Sequence, residues 1–133
     1  MLVTGGAGYI GSHAAKALVR AGHRVVVYDS LVAGHREAVK YGEFVRGDVL
    51  DSAALRSAMS ARAVDAVMHF AAFLDVGESV REPAKYYRNN VGGVMNVFWI
   101  ALITIFVLVE KVVPLGRLIS RLAGHYSWQV EDG

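Results

Sequence analysis

The stretch TGGAGYIGSH at residues 4–13 decides the fold of this chain. A short β-branched strand signal at 1–4 precedes it, and a helix predicted over 12–21 follows it and ends at Gly22. Glycine allows the tight turn between them, and its missing side chain lets a phosphate reach the backbone N–H groups at the helix start. In this context the motif predicts a nucleotide-binding turn, although the glycines alone would also suit an ordinary strand–helix turn.

An aspartate at the end of the next strand supports the nucleotide-binding interpretation. Residues 24–28 read RVVVY, a run typical of a strand buried on both faces, and Asp29 ends it 18 residues after Gly11. A carboxylate there can accept hydrogen bonds from both adenosine ribose hydroxyls and repels a 2′-phosphate, which favours NAD over NADP. Asp29 alone would be a common turn or cap residue, so the prediction depends on its combination with the glycines.

Two further strand signals are followed by residues that suit a ligand edge. A weaker strand at 43–46 precedes Asp48, which either bonds an adenine amino group or lies in a solvated turn. A strand at 63–70 precedes Ala71 and Ala72, whose small side chains let a cofactor lie against the backbone.

The order of these signals predicts the fold class. Asp51 can cap a short helix between the third and fourth strands, and another helix is predicted from Pro83 onward. Strands and helices therefore alternate, which favours a parallel sheet. We expect an α/β protein, a partial Rossmann fold of about four parallel strands with flanking helices, plus a long apolar C-terminal helix.

Composition narrows the class of protein. The chain has 133 residues, enough for one domain, and its net charge of +2 is too small to indicate a nucleic-acid partner. A hydrophobic content of 54% excludes a disordered chain. Cysteine is absent, and His13, His23 and His35 lack ligand spacing, so no metal site is expected. No signal peptide precedes the first strand, which favours a cytoplasmic location.

The segment after residue 88 has a different character. Residues 89–109 carry no charge, and residues 97–109 contain one polar residue, Thr104. A surface helix should show a polar face, and this segment shows none, while its length suffices to span a bilayer. We therefore divide the chain into a nucleotide-binding half domain at 1–96 and an apolar helix with a short polar tail at 97–133. Residues 89–111 are expected either to associate with a membrane or to pack on the sheet.

Six blocks of sequence resemble one known family. They are TGGAGYIGSH at 4–13, YDS at 28–30, GDVLD at 47–51, HFAA at 69–72, VGESV at 76–80 and EPAKYYRNNVGG at 82–93. In this order they are similar to the UDP-glucose 4-epimerases of the extended short-chain dehydrogenase/reductase family. The resemblance covers about the first 95 residues. It implies a tightly held NAD that takes a hydride from the sugar C4 and returns it to the other face, interconverting UDP-glucose and UDP-galactose in galactose metabolism.

The resemblance also implies which residues bind the cofactor. It assigns the phosphate turn to Gly5, Gly8, Tyr9, Ile10 and Gly11, the ribose contacts to Asp29 and Ser30, the adenine contacts to Asp48 and Val49, the wall beside the ribose and nicotinamide to Phe70, Ala71 and Ala72, and a further contact to Asn89. Leu74 stands where the family often has a lysine. The helix from Pro83 contributes to a dimer interface in the relatives, so a homodimer is implied as well.

The family's catalytic residues have no match in this chain. They are a Tyr-x-x-x-Lys pair, in which the lysine lowers the pKa of the tyrosine, and a serine or threonine on the next strand. The residues four positions after the tyrosines are His13, Val32, Val45, Asn90, Val91 and Val130. The chain is also less than half the family's length, so we expect it to lack the family's UDP-sugar domain. We therefore expect no catalytic residue here and no turnover by this chain alone.

The C-terminal part has a second resemblance. Residues 91–124 look like the last membrane helix of a family of predicted metal-binding integral membrane proteins. A hybrid chain is one interpretation, a truncated or frame-disturbed epimerase gene is another, and in a third residues 104–109 form the family's fifth strand. Apart from these interpretations, three functions are open: an NAD-dependent 4-epimerase of UDP-sugars, a nucleotide-binding module without chemistry, and a membrane-tethered or partner-bound product.

Overall fold

The structure, a computed structural model, describes residues 1–112 of the chain. Strands and helices alternate along the first part, and helices alone make up the last part. The elements in chain order are β1 (Leu2–Thr4), α1 (Tyr9–Arg20), β2 (Val26–Asp29), a 3₁₀ turn (Arg36–Ala38), β3 (Glu43–Arg46), α2 (Ser52–Ala61), β4 (Val67–His69), α3 (Val76–Arg81), α4 (Pro83–Tyr87), a π-helical turn (Arg88–Gly92) and α5 (Gly93–Val112).

The four strands form one parallel sheet in the order β3-β2-β1-β4. β1 lies between β2 and β4, so that Val3 is in register with Val27 on one side and with Met68 on the other. The chain thus runs from β1 outward to β3 and then crosses to the opposite side of β1. This order confirms the predicted α/β fold, a partial Rossmann sheet with flanking helices and a long C-terminal helix.

The two faces of the sheet are covered by different helices. Leu2 and Val26 belong to the core on one face, where Leu55 of α2 and Ile100 of α5 are also buried. Neighbouring strand positions point to the other face, where Val3 and Val27 pack with Ala15 of α1. Since alternate side chains pack into two cores, every residue of β1 and β2 is buried, as the run at 24–28 predicts for a strand covered on both faces.

Two predicted helix boundaries are present. Gly22 follows α1 with a φ of 87°, a left-handed conformation that glycine adopts cheaply. The side chain of Asp51 accepts a hydrogen bond from Ala54 N at 2.9 Å and caps α2. α1 begins earlier than predicted, at Tyr9, because its first turn uses the glycine-rich stretch itself.

The apolar segment forms a helix rather than a strand. Residues 104–109 lie inside α5, so the interpretation that they replace a fifth strand is wrong. The reason is packing: Val97, Ile100 and Thr104 recur at helical spacing and are buried on the side that faces α2 and the core. The predicted division between residues 96 and 97 falls within α5, and residues 113–124 of the membrane-helix resemblance lie outside the described residues.

The opposite face of α5 is apolar and exposed. Phe98, Trp99, Leu102 and Phe106 are each at least half exposed. One continuous helical stretch, Pro83–Val107, is long and apolar enough to cross a bilayer, with a mean hydropathy of 1.9 over its most apolar window, of which 22% is buried. The helix therefore covers the sheet with one side and leaves a second apolar side uncovered among the described residues.

Candidate functional site

A cavity opens at the carboxyl edge of the sheet, where the chain changes direction around β1. Open parallel sheets bind ligands outside the carboxyl ends of their strands, at the point where the strand order reverses. The cavity has a volume of about 720 Å³. All the cofactor-binding residues implied by the sequence line it: Gly5, Gly8, Tyr9, Ile10, Gly11, Asp29, Ser30, Asp48, Val49, Phe70, Ala71, Ala72 and Asn89.

The glycine turn between β1 and α1 leaves little room for a side chain at Gly5, Gly8 or Gly11. Gly5 has a φ of 68°, and a Cβ there would lie 2.5 Å from the carbonyl carbon of Phe70. A Cβ at Gly11 would overlap the carbonyl oxygen of Gly5, and one at Gly8 would lie 3.2 Å from the same atom. The turn is closed by a hydrogen bond that Gly8 N donates to Gly5 O at 3.1 Å. A side chain at Gly5, Gly8 or Gly11 would therefore crowd the backbone of the turn or of Phe70, and glycine at these positions lets the turn take this shape.

The first turn of α1 keeps its N–H groups available. Among residues 1–112, no side chain caps the helix at Gly8, and its first turn contains no acidic residue. The N-terminus of a helix of this length carries a partial positive charge. The turn therefore offers uncapped donors and a favourable field to an anionic group in the cavity.

The carboxylate of Asp29 is fixed by the turn that it faces. Its Oδ2 accepts from Ala7 N at 2.9 Å and its Oδ1 accepts from Leu31 N at 2.8 Å. The residue is 7% exposed, and a Cβ at Gly34 would come within 3.0 Å of Oδ1. Each carboxylate oxygen can accept a second hydrogen bond, so Asp29 keeps acceptor capacity for two ligand hydroxyls.

The loop after β3 forms another wall of the cavity. Tyr28 donates its hydroxyl proton to Asp48 O at 3.1 Å, and Asp48 Oδ1 accepts from Leu50 N at 2.9 Å. Burial, with Asp51 and Asp48 nearby, raises the pKa of Tyr28 to about 12. The tyrosine therefore acts as a buried hydrogen-bond donor that fixes the loop, and its ring occupies the space that a Cβ at Gly47 would need.

The far end of the cavity holds a group that the sequence did not indicate. Glu78 accepts from Lys85 Nζ at 2.6 Å and from Tyr86 OH at 2.8 Å, and both hydrogen bonds lower its pKa. Burial and the bond to Glu78 raise the pKa of Tyr86 to about 12. Tyr86 therefore keeps its proton at neutral pH. Helical spacing in the sequence does not indicate this group, because Glu78 lies on α3, Lys85 and Tyr86 lie on α4, and the non-helical Glu82 separates the two helices.

His69 ends β4 beneath the cavity and is held as a packed strand residue. Its Nδ1 lies 2.7 Å from Thr4 Oγ1 on the neighbouring strand. Its Nε2 is buried without a hydrogen-bond partner among the described residues. Burial lowers the pKa of His69, so the ring is neutral in the folded chain at neutral pH.

The chain is similar in sequence to known proteins. The profile of the NAD dependent epimerase/dehydratase family matches residues 1–112. A UDP-glucose 4-epimerase of Rhizobium meliloti (strain 1021) is 46% identical over 102 residues, which are 77% of this chain and 31% of that protein.

Solved structures show the same similarity. The UDP-glucose 4-epimerase from Brucella ovis in complex with NAD is 55% identical, with a TM-score of 0.75 over 77% of this chain and 32% of that one. The UDP-glucose-4-epimerase from Stenotrophomonas maltophila, with bound NAD and formylated UDP-arabinopyranose, is 39% identical, with a TM-score of 0.73 over 78% of this chain and 33% of that one. The chain thus spans about a third of the length of these relatives.

Proposed function

The chain belongs to the NAD dependent epimerase/dehydratase family, and we propose that residues 1–96 are the NAD-binding half domain of a UDP-glucose 4-epimerase-like protein. One observation carries the proposal: the glycine turn, Asp29 and the small residues after β4 all line one cavity at the carboxyl edge of the sheet. The turn at Gly5, Gly8 and Gly11 lines the cavity at the uncapped N-terminus of α1, an arrangement that suits a diphosphate. NAD is also present in related structures of the same fold.

Each wall of the cavity has a separate task in this proposal. The turn formed by Gly5, Gly8, Tyr9, Ile10 and Gly11 binds the diphosphate. Asp29 and Ser30 bind the adenosine ribose, Asp48 and Val49 flank the adenine, and Phe70, Ala71, Ala72 and Asn89 lie along the second ribose and the nicotinamide. When bound, NAD would supply hydride chemistry; the chain's own residues bind it, orient it and exclude water.

We further propose that this chain alone does not turn over a UDP-sugar. The family's Tyr-x-x-x-Lys pair has no match in the sequence. The hydroxyl of Tyr86, which lines the cavity, is bonded to Glu78 and its pKa is raised, so it is poorly suited to act as the base. A UDP-sugar partner accordingly belongs to the longer relatives.

A thermal melt of the purified 133-residue chain with and without excess NAD tests the proposal. A ligand that binds only the folded state stabilises it by about 2.7 kcal/mol at a hundred times its dissociation constant. We expect a cooperative melt that shifts upward with NAD and shifts less with NADP, because Asp29 would repel the 2′-phosphate. A cooperative melt unaffected by NAD would reject the proposed function.

A second candidate function rests on the uncovered face of α5. Exposed apolar side chains line that face, among them Phe98, Trp99 and Leu102. Patches of this kind mark contacts with a membrane or with another protein chain. In this candidate residues 89–111 tether the chain to a bilayer, as in a membrane-tethered hybrid, or the helical stretch from Pro83 joins two copies into a homodimer.

Vesicle flotation and light scattering separate these two outcomes. Flotation with phosphatidylcholine vesicles at any chain concentration favours the tether. A twofold mass by light scattering, with no flotation, favours the homodimer. A monomer that does not float would reject this second candidate and leave the NAD-binding proposal untouched.

A further inference from the structure

Two asparagines on the last helical stretch contact two walls of the cavity. The π-helical turn Arg88–Gly92 separates α4 from α5, and Asn90 lies within it. π turns are rare single-turn insertions, and they occur often at functional sites because they change which side chains face a neighbour. Asn96 follows on α5 and is likewise half-buried.

Asn90 pairs with both backbone groups of one residue in the loop after β4. Its Oδ1 accepts from Phe73 N at 2.9 Å, and its Nδ2 donates to Phe73 O at 3.1 Å. The same Oδ1 accepts from Asn89 Nδ2 at 2.9 Å, so the pair also orients the side chain that faces the cavity. One amide group thus pairs with both the N–H and the C=O of Phe73, as a residue of a neighbouring strand would.

The loop between β4 and α3 has few other attachments. Phe70 N donates to Thr4 O at 2.9 Å, and Ala72 N donates to Phe70 O at 3.0 Å. The next fixed point is Asp75, whose side chain accepts from Glu78 N at 2.6 Å and caps α3. Within the described residues, the backbone between Ala72 and Asp75 has hydrogen bonds only to Asn90.

Asn96 contacts the loop after β3, which forms the adenine side of the proposed site. Its Nδ2 donates to Val49 O at 3.1 Å and to Leu50 O at 3.3 Å. The loop there is also fixed by Tyr28 and by the turn that Asp48 closes. The two asparagines therefore differ in how much of their loop depends on them.

We propose that Asn90 is a positioning residue for the second-ribose and nicotinamide half of the cofactor site. It acts through Phe73 and Asn89 by fixing the wall against which that half of NAD lies. Asn96 braces the adenine half in the same manner. The inference rests on the proposed function of NAD binding. In it, the wall of one half of the site is positioned by Asn90, a side chain that does not itself line the cavity.

Calorimetric titration of the full chain with NAD and with ADP tests the inference, because ADP lacks the second ribose and the nicotinamide. Asn90→Ala should weaken NAD binding about tenfold, as expected for losing two hydrogen bonds, and leave ADP within about twofold. Asn96→Ala, the matched control, should weaken both ligands by a similar factor. Equal losses of NAD and ADP in Asn90→Ala, or no loss of either, would overturn the assignment.

Amide hydrogen exchange without ligand separates this inference from the proposed function. Asn90→Ala should accelerate exchange at Phe73 and leave Leu50 protected. If exchange at Phe73 accelerates as expected but the wild-type chain binds no NAD, the proposed function and the positioning role are both rejected. The contact between Asn90 and the loop would still be confirmed. If Asn90→Ala does not fold, Asn90→Asp is titrated with NAD and ADP instead. This variant keeps Oδ1 and removes the donor to Phe73 O. It should again lose affinity for NAD but not for ADP.

Discussion

At the scale of single residues, Asp29 joins the glycine turn to the end of β2. Its two oxygens already bond Ala7 N and Leu31 N, so the carboxylate is held in place before any ligand arrives. Asp29→Ala should weaken NAD binding by more than tenfold, since a hydrogen bond to a charged group contributes about 1.5–3 kcal/mol. Calorimetric titration measures this loss.

Asp51→Ala is the matched control for that substitution. Asp51 caps α2 through Ala54 N and lies outside the cavity lining. Its loss should lower the free energy of unfolding by about 1 kcal/mol without changing NAD affinity. Equal NAD affinity in Asp29→Ala and the wild type would contradict the ribose assignment.

Two glycines with positive φ differ in their surroundings. Gly5 and Gly22 have φ values of 68° and 87°, but a Cβ at Gly22 would meet nothing within 4 Å. Gly22→Ala should therefore lower the free energy of unfolding by about 1 kcal/mol, the conformational cost alone. Gly5→Ala adds an overlap with the Phe70 backbone and should cost about 3 kcal/mol or more. Urea unfolding compares them, and similar losses would show that the turn relaxes.

The lowered pKa of His69 predicts how the stability of the fold depends on pH. Burial lowers its pKa from the usual 6.5, so the unfolded chain binds a proton that the folded chain does not. Stability should therefore fall as the pH drops through 6.5, and the loss is complete below the folded-state pKa. Glu43 and Glu78, whose pKa values lie below 4.5, act in a separate and more acidic range.

The measurement is urea unfolding at about pH 7.5 and about pH 5.5, on either side of the ordinary histidine pKa. The wild type should lose more stability between these conditions than His69→Gln, which cannot take up a proton. An equal loss in both chains would show that another group controls this range.

At the scale of elements, α5 has a buried side and an exposed side of similar composition. Ile100 is 3% exposed, whereas Leu102 is 50% exposed. Ile100→Ala should lower the free energy of unfolding by about 2–5 kcal/mol, because it leaves a cavity in the core. Leu102→Ala should change it by less than about 0.5 kcal/mol. Comparable losses would mean that a second chain covers the exposed side in solution.

The elements that the sequence predicts are those whose signals are local. The glycine turn, the run before Asp29 and the cap at Asp51 each depend on neighbouring residues, and the structure contains all three. Helix α3 was not predicted, since Val76–Arg81 is short, contains Gly77 and has no buried residue. The pairing of Asn90 with Phe73 joins residues 17 positions apart through a π turn, and no periodicity indicates it.

At the scale of the whole molecule, β4 is an edge strand, with β1 on one side only among the described residues. The matched part of the chain covers 31% and 32% of two longer relatives, and the Tyr-x-x-x-Lys pair that the resemblance implies has no match in the sequence. We expect no interconversion of UDP-galactose and UDP-glucose by the purified chain with added NAD, in an assay that reads product UDP-glucose. Turnover above the no-enzyme rate, absent in Asp29→Ala, would contradict this expectation.

The position of β1 in the middle of the sheet has a consequence for synthesis on the ribosome. β1 is made first, yet its two neighbours become available at very different times, because Thr4 and His69 are 65 residues apart. At about 5–20 residues per second, β1 waits roughly 3–13 s for β4 after it leaves the peptidyl-transferase centre. During that interval the glycine turn is already translated, while the Phe70 backbone against which Gly5 packs does not yet exist. The cavity edge of the sheet is thus completed only after Phe70 and Asn89 are made, although its glycine turn is translated before β2, β3 and β4.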